Sequence, residues 1–346
     1  MVSLCLIITF MKRKLFVALS VLSILSCSIS FVYGWGVWGH NHINKAAVLA
    51  LPGEMGMFFY NHADFMIQES TIPDLRKYTL NDKAEGPRHY IDLEPFNYES
   101  AANMPATLAD AIAKYGKDTL DKYGFLPWYI EEMMEKLTKA FKNKNKTEIL
   151  FLAGDLGHYI GDAQMPLHTS INHNGQLTGQ VGIHAFWESH LPELFGKDYN
   201  LYTGEAHYIK DIQKATWNMI DSSHRLMNTL LAMERKTKQE VPEDMQYEKG
   251  ADGQVKKSKF GQQMHSKEYA QKYHTLLNGM VEHQLENAIR HTADFWYTAW
   301  VNAGKPDLSS LDQEDVTSRT IPLYKEEMAQ WKKNGKVSGC STDKEF

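Results

Sequence analysis

One apolar helical segment that also carries ionisable side chains constrains this chain most. The run KTEILFLAGDLGHYIGDAQ, residues 146–164, has the apolar spacing of a helix and ends just before a proline. It places Asp155, His158 and Asp162 among its apolar residues. Asp155 and Asp162 are seven positions apart, so their carboxylates project to a similar side of the helix. Burying carboxylates without a counter-charge costs several kcal/mol each, and the pattern therefore predicts a bound cation.

A second pair of the same kind follows. His184 and Glu188 are four positions apart in GIHAFWES, as His158 and Asp162 are in the first segment, and His168 lies between the two pairs. Residues with this spacing share one helix face and lie about 6 Å apart along the axis. Imidazole nitrogens combined with carboxylate oxygens suit zinc. One buried histidine is more often a hydrogen-bonded core residue, so it is the repetition of the pair that favours a metal site.

The rest of the chain predicts an all-α protein. Apolar residues recur mostly at helical spacing, strand-like alternation is rare, and no internal repeat stands out. We expect a single multi-helix domain over residues 35–304, with about eight helices. Within it, residues 236–263 are polar and nearly free of aliphatic side chains, which predicts a surface loop. Residues 305–346 form a polar C-terminal tail that we expect to be loosely attached.

The first 34 residues are typical of a signal peptide. A basic MKRK at 11–14 precedes the apolar run LFVALSVLSILS, and VYG ends the segment with small residues suited to cleavage before Trp35. We therefore predict an exported protein, periplasmic or secreted. Two alternatives remain, an uncleaved membrane anchor and a lipoprotein cleaved at Cys27.

Charge and cysteine content narrow the classes of function. The formal charge is −5, and it becomes about −8 when a leader with three basic and no acidic residues is removed. No overall basic field therefore favours nucleic acid or anionic membranes. Of three cysteines only Cys340 follows the leader, so bound metal rather than disulfides is the expected source of rigidity.

The motif GHYIGDAQMPLH followed by GIHAFWES resembles the zinc-dependent phospholipase C and single-strand nuclease superfamily. The resemblance implies an all-helical fold that binds three zinc ions at the bottom of a cleft. It also implies a mature chain that begins with tryptophan, whose free amine and carbonyl oxygen ligate one zinc. WGVWGH at 35–40 matches that feature. Cleavage before Trp35 is favoured for this reason, since an anchor or a lipid upstream would turn the amine into an amide.

The resemblance runs from residue 35 to about residue 188 and implies a complete ligand set. It further implies that Asp162 bridges two zinc ions and that Asp74 is the catalytic base as well as a ligand. The nine implied ligands, in chain order, are Trp35, His40, Asp74, His89, His158, Asp162, His168, His184 and Glu188.

The function implied is hydrolysis of a phosphodiester by attack of a zinc-bound water. Glu188 as the last ligand and the sequence of the central motif are closer to the bacterial phospholipases C than to the fungal nucleases. The alternative is a single-strand nuclease or nucleotidase of the same superfamily, which HYID at 89–92 resembles. Lys77 stands where those nucleases usually have arginine, which weakens that assignment. A zinc-binding protein without catalytic turnover is a second alternative.

Substrate contacts are predicted around these ligands. Tyr90 and Asp92 match the nuclease residues that stack on a base and hydrogen-bond it, and Arg76 or Lys77 would steer a phosphate. A choline headgroup would instead prefer an acidic or aromatic cage, for which Glu94, Tyr90 and Trp187 are the candidates. The glycine- and asparagine-rich loop at 171–182 is expected near the substrate. The predicted partners are thus a phospholipid, with transient membrane contact, or single-stranded nucleic acid.

Overall fold

A computed structural model describes residues 35–258 and 261–340. This part of the chain is helical and contains only isolated β-bridges, so the prediction of an all-α protein is confirmed. The predicted signal peptide, residues 1–34, lies outside the described residues. The signal peptide and its cleavage before Trp35 remain predictions. None of the helices in 35–258 or 261–340 combines the length and the apolar run that crossing a bilayer requires.

The helices are numbered here in chain order. They are α1 Gly36–Ala50, α2 Gly53–Asn61, α3 Ala63–Glu69, α4 Ile72–Tyr78, α5 Leu108–Tyr115, α6 Lys117–Tyr123, α7 Leu126–Lys142, α8 Lys146–Ala163, α9 Ile183–Ala185, α10 Leu191–Phe195, α11 Ile212–Glu240, α12 Lys267–Leu276, α13 Met280–Asn302 and α14 Glu314–Asn334. Short 3₁₀ turns connect several of them, and the π-helical turn Phe186–His190 joins α9 to α10.

Local chemistry explains where the helices begin and end. The Asn145 side chain accepts a hydrogen bond from the backbone of Glu148 and caps α8, the helix of the first motif. The apolar spacing predicts single helices over residues 105–124 and 266–304, and each of these is divided in two. Gly116, with φ of 83°, separates α5 from α6, and Asn278 and Gly279, with φ of 50° and 81°, separate α12 from α13. These left-handed conformations break the helix, which explains why more helices form than the apolar pattern predicted.

Helix α8 lies at the centre of the fold. It packs against α1, α3, α7 and α13, and most of its residues from Ala153 onward are buried. On the side facing α13, the Trp296 indole donates a hydrogen bond of 2.9 Å to the Ala153 carbonyl, and Trp296 stacks on Phe59 with ring centroids 5.3 Å apart. The motif that carries Asp162 is therefore held rigidly in the core.

Three glycines bring α8 close to its neighbours. A Cβ added to Gly154 would lie 2.6 Å from Cγ of Glu69, and one added to Gly157 would lie 2.0 Å from Oδ1 of Asn44. A Cβ on Gly161 would lie 3.2 Å from Nδ1 of His40. The row of glycines lets α1 and the end of α3 approach the α8 backbone, so that His40 reaches the face that carries the central ligands.

The C-terminal segment differs from the expected loosely attached tail. Residues 314–334 form α14, whose Trp331 is completely buried and donates a hydrogen bond of 3.0 Å to the Leu201 carbonyl. Glu327 of the same helix pairs with Lys45 of α1 at 2.9 Å, and both side chains are buried. Two polar groups that pair inside the molecule are indistinguishable in sequence from two solvated ones, which is why this attachment was not predicted.

The predicted surface loop at 236–263 is partly ordered structure. Helix α11 continues to Glu240, and isolated bridges pair Tyr247 with His265 and Lys257 with Gln263. The segment thus folds back on itself as an irregular hairpin beside α12. The division of the chain into a leader, one domain and a tail remains a prediction.

Candidate metal centre

Eight of the nine predicted ligands contribute side chains to one buried cluster. They come from α1, α4, the segment after α4, α8, the 3₁₀ turn Pro166–Thr169, and the α9–π junction. All are at most 6% exposed, although each is ionisable. Three groups have ligand atoms within 4.8 Å of one another. These groups are His40 with His158 and Asp162, Asp74 with His89 and His158, and His168 with His184 and Glu188.

Asp162 is the centre of the cluster. Its Oδ2 lies 2.9 Å from Nδ1 of His89 and 3.2 Å from Nε2 of His158. Its Oδ1 lies 3.6 Å from Nε2 of His40 and 3.5 Å from Nδ1 of His168. The two oxygens therefore face different sets of histidines, an arrangement suited to a carboxylate shared between two cations.

Asp74 joins the group around His89 and His158. It lies in the first turn of α4 and is 2% exposed, and its Oδ1 is 3.7 Å from Nδ1 of His89. Nδ1 of His158 donates a hydrogen bond of 2.7 Å to the Ser70 carbonyl, which turns Nε2 of the same ring into the cluster. Such a backbone bond fixes the tautomer and the orientation that a metal-binding histidine needs.

The third group is built on irregular helix. His184 lies in α9, and Glu188 lies in the π-helical turn, 3.0 Å from Nε2 of His184. Nδ1 of His184 donates to the His173 carbonyl at 2.8 Å, so its Nε2 faces His168 at 3.2 Å. The widened turn keeps the four-residue spacing while tilting Glu188 toward the cluster, and π-turns often occur at functional sites.

The protonation of these groups fits metal binding. Burial lowers the pKa of His40, His168 and His184, so these rings are neutral at physiological pH and have a lone pair to donate. Burial also opposes charge on His158, but Asp162 outweighs it and raises the pKa of His158 to about 9. A proton on His158 thus occupies the position in which a cation would neutralise Asp162.

Unsatisfied polar atoms also point to a ligand. Within the described residues, neither ring nitrogen of His40 makes a hydrogen bond, and the same is true of Oδ1 of Asp162. Both side chains are at most 1% exposed, and leaving such atoms unpaired in the interior is costly. This donor set of imidazoles and carboxylates is the one that zinc takes in proteins, so the residues present fit zinc.

Trp35 lies beside the cluster. Its indole donates a hydrogen bond of 2.6 Å to the carbonyl of Gly161, the residue before Asp162, and its ring centroid is 5.0 Å from that of Trp187. Its carbonyl accepts from the Gly39 backbone at 3.0 Å in the first turn of α1. The side chain therefore anchors the start of α1 to α8. Ligation by the Trp35 amine depends on cleavage before this residue and remains a prediction.

A cavity of about 310 Å³ opens over the cluster. Three of the predicted substrate contacts line it, namely Lys77, Tyr90 and Asp92. Trp187 does not line it, since it is completely buried against Trp35, and this corrects its assignment as a substrate contact. Glu94 is held by Ser170 and by the Ile171 backbone. The remaining lining residues are Tyr78, His89, Lys122, Leu167, His168, His173 and His184.

Sequence reasoning did not identify Lys122 and His173 as lining residues. Lys122 lies on α6, between the motifs at 89–92 and 157–168, and nothing in its local sequence distinguishes it from a solvated lysine. His173 lies in the loop at 171–182, which was expected near the substrate, and it is this residue that reaches the cavity.

A network of charges surrounds the outer side of the cluster. Completely buried Glu85 lies 3.5 Å from Nε2 of His89, the nitrogen that faces away from the cluster. Glu85 is held in turn by Arg76 at 3.2 Å, by Arg88 at 2.9 Å and by the Tyr159 hydroxyl. A carboxylate behind a ligating histidine orients the ring and raises its basicity.

This network corrects two expectations. Arg76 does not steer a phosphate, because its guanidinium is committed to Glu85 and to Asp155, the latter at 2.6 Å. Asp155 is neutralised by that guanidinium and lies outside the metal-ligating groups. The counter-charge that its place on an apolar helix demanded is therefore an arginine rather than a metal ion.

Comparison with known proteins agrees with this geometry. Residues 39–241, well over half of the chain, match the family model described as zinc-dependent phospholipase C. The chain belongs to the zinc-dependent phospholipase C family. The family match covers all eight clustered side chains and makes the protein a zinc-dependent hydrolase of this superfamily, as the sequence motifs indicated.

A second similarity is short. A stretch of 63 residues is 33% identical to a probable serine protease from Bradyrhizobium tropiciagri and covers 18% of this chain. The chain thus matches only 8% of the length of that curated relative, and the similarity carries no statement about activity.

Proposed function

We propose that this protein hydrolyses phosphodiesters as a phospholipase C, releasing a phosphorylated headgroup from a phospholipid. The observation that carries the proposal is the position of the buried ligand cluster directly beneath a cavity that opens to solvent. His89, His168 and His184 belong to both, so a phosphate that enters the cavity reaches the ligands. The match to the phospholipase C family supports a phospholipid as substrate.

We assign three zinc ions to this cluster of ligands. The Asp162 carboxylate would be shared between two of them, since its two oxygens face different histidines, and His158 would ligate one ion through Nε2. Bound zinc polarises phosphoryl oxygens and lowers the pKa of water to near 7. The chain supplies the rest of the chemistry. The backbone bonds of His158 and His184 hold the ligating nitrogens in place, and Asp74 receives the proton of the attacking water at its carboxylate.

The nuclease alternative has one specific observation in its favour. Tyr90 and Asp92, which resemble base-binding residues of the nucleases, both line the cavity. The Tyr90 hydroxyl donates to the Lys122 carbonyl at 3.1 Å, and this bond holds its ring at the cavity wall. A single stacked base would contribute about 1–3 kcal/mol.

Export is part of the proposal, because a free Trp35 amine would complete the ligand set. Direct sequencing of the secreted protein is expected to begin at Trp35. A mature chain that begins at a lipidated Cys27, or one that retains the leader, would contradict this part.

The activity is tested on purified, zinc-loaded protein with short-chain phosphatidylinositol and phosphatidylcholine and with single-stranded DNA, each with and without a chelator. We expect chelator-sensitive release of a phosphorylated headgroup from phospholipid, and loss of that release in Asp74→Asn. DNA cleavage without lipid hydrolysis would support the nuclease alternative. Tight zinc binding without turnover of any substrate would leave a non-catalytic zinc-binding protein.

A further inference from the structure

We propose that the cavity selects phospholipids whose headgroup carries a second anionic group, a phosphate or a carboxylate, in addition to the phosphodiester itself. The inference rests on the proposed phospholipase function and adds a substrate class to it. It is carried by two lysines, Lys77 and Lys122, which line the same cavity from different helices.

Lys77 is the inner of these two charges. It lies in the last turn of α4, three residues after Asp74, and is partly buried with its ammonium above the Tyr78 ring, 4.7 Å from the centroid. Its charge is close enough to act on Asp74 and on His168 and His184. Lys77 therefore lies beside the position of the scissile phosphate, where it adds to the attraction for that group.

Lys122 is the outer charge. It lies near the end of α6, is exposed, and has its ammonium 4.7 Å from the centroid of the Tyr123 ring. In the described part of the chain neither Lys122 nor Lys77 has a carboxylate within 4.0 Å, whereas the neighbouring Lys117 pairs with Asp121. An ammonium that lines a cavity and is not neutralised by the protein is available for an anionic group of the ligand.

The carboxylate in the cavity does not cancel this charge. Burial, together with the nearby Glu94, raises the pKa of Asp92 to about 7, so its negative charge is weakened at neutral pH. Asp92 is itself only 8% exposed. Two lysines face one partly protonated carboxyl, and the balance beyond the metal ligands is positive.

A quaternary ammonium headgroup finds no cage here. Binding such a cation requires open aromatic faces. Among the described residues two tyrosines line the cavity, Tyr78 and Tyr90, and Tyr78 already has the Lys77 ammonium above its ring. Trp187, the other candidate for such a cage, is buried. The same lysines that attract an anion therefore exclude choline.

A nucleic acid also offers a second phosphate, but the structure favours a lipid headgroup. A long polyanion needs a basic track outside the cavity, and the whole chain has a formal charge of −5. A cavity of about 310 Å³ fits one headgroup, and its single open aromatic face offers no succession of stacking platforms.

The experiment compares short-chain phosphatidylinositol with its monophosphorylated form, both below the micelle concentration, so that surface charge plays no part. The two substrates differ by one phosphate. Short-chain phosphatidylserine tests a carboxylate, and phosphatidylcholine tests a cationic headgroup. We expect the zinc-loaded enzyme to show a kcat/KM about tenfold higher for the phosphorylated form, the effect of one charge-assisted bond.

Lys122→Gln should remove most of that preference, because it should lower kcat/KM for the phosphorylated form about tenfold more than kcat/KM for phosphatidylinositol. Lys77→Gln should lower kcat/KM for both, because it acts on the scissile phosphate as well. Lys117→Gln, on the same helix as Lys122 but paired with Asp121, is the matched control and should behave as wild type. Zinc content and thermal unfolding of each variant establish that it has folded. The substrate preference of the wild-type enzyme is measured without any substitution, so it tests the inference even if a variant fails to fold.

Equal rates on the two inositol lipids, or faster hydrolysis of phosphatidylcholine, would overturn the inference while leaving the phospholipase activity intact. Cleavage of a single-stranded oligonucleotide that is lost in Lys122→Gln, without any lipid hydrolysis, would overturn it in favour of nucleic acid. No turnover of any phosphodiester would instead contradict the proposed function itself.

Discussion

Replacing Glu85 with glutamine isolates the contribution of one outer carboxylate to zinc binding. Glu85 touches none of the groups around Asp162 other than His89, whose outer nitrogen it faces at 3.5 Å. His89 presents its other nitrogen to Asp162 at 2.9 Å and to His158 at 3.0 Å. Glutamine keeps the volume of the side chain and removes its charge, so the ring loses the anion that orients it and raises its basicity.

The expected magnitude follows from these contacts. Loss of an outer carboxylate behind a ligating histidine typically weakens metal affinity about 10–100-fold. That range corresponds to roughly 1.4–2.7 kcal/mol of binding free energy. We expect the upper part of this range, because Arg76 and Arg88 would then both face a neutral amide inside the protein.

The assay is competition for zinc against a chelating dye, together with metal analysis after dialysis. Of the three proposed zinc ions, the one that His89 would ligate should become more easily lost. Glu69→Gln controls for the change of shape at a buried glutamate, since Glu69 is also buried and lies 3.9 Å from Arg76 but does not face His89. If Glu85→Gln bound zinc within twofold of the wild-type affinity, the assignment of Glu85 as a positioning residue would be refuted.

Three further predictions test the rest of the site. Asp162→Asn should reduce the metal content by more than one ion, because each carboxylate oxygen faces a different set of histidines, and retention of three ions would exclude a bridging role. Gly157→Ala should destabilise the protein by roughly 1–3 kcal/mol in urea denaturation, since the new Cβ would lie 2.0 Å from Asn44, whereas Gly86→Ala, whose Cβ meets no atom within 4 Å, should cost less. Burial and the neighbouring Asp155 raise the pKa of Glu69 to about 8, so the folded state retains a proton that the unfolded state has lost above about pH 4. The contribution of Glu69 to stability should therefore fall between about pH 4 and 8, so that metal-free Glu69→Gln gains stability relative to the metal-free wild type as the pH rises through this range. A difference in urea midpoint between the two proteins that stayed constant with pH would disprove this.

The parts of the site that sequence reasoning found share a local signature. His158 with Asp162, and His184 with Glu188, are fixed by helical spacing alone, because four residues span one turn. His40 and Asp74 lack such a signature and were assigned through family resemblance. The structure brings all four of these elements together, which depends on a row of glycines in α8 that the spacing argument did not use.

The parts that were missed depend on contacts between distant segments. Asp155 meets Arg76 across 79 positions, and no local pattern distinguishes that pair from a carboxylate bound to metal. Lys122 reaches the cavity only because α6 packs beside the segment that carries Tyr90. The division of the long predicted helices was also missed. Glycine tolerates both helical and left-handed backbone conformations, and packing determines which of them it adopts.

The ligands come from six stretches of chain that lie far apart in sequence, from His40 on α1 to Glu188 in the π-turn. Ions that bind only when these stretches are assembled lower the free energy of the native state in proportion to the logarithm of the free metal concentration. The lifetime of the enzyme against proteases should then follow the zinc supply of its compartment. Depletion of zinc would then remove the polypeptide itself as well as its activity.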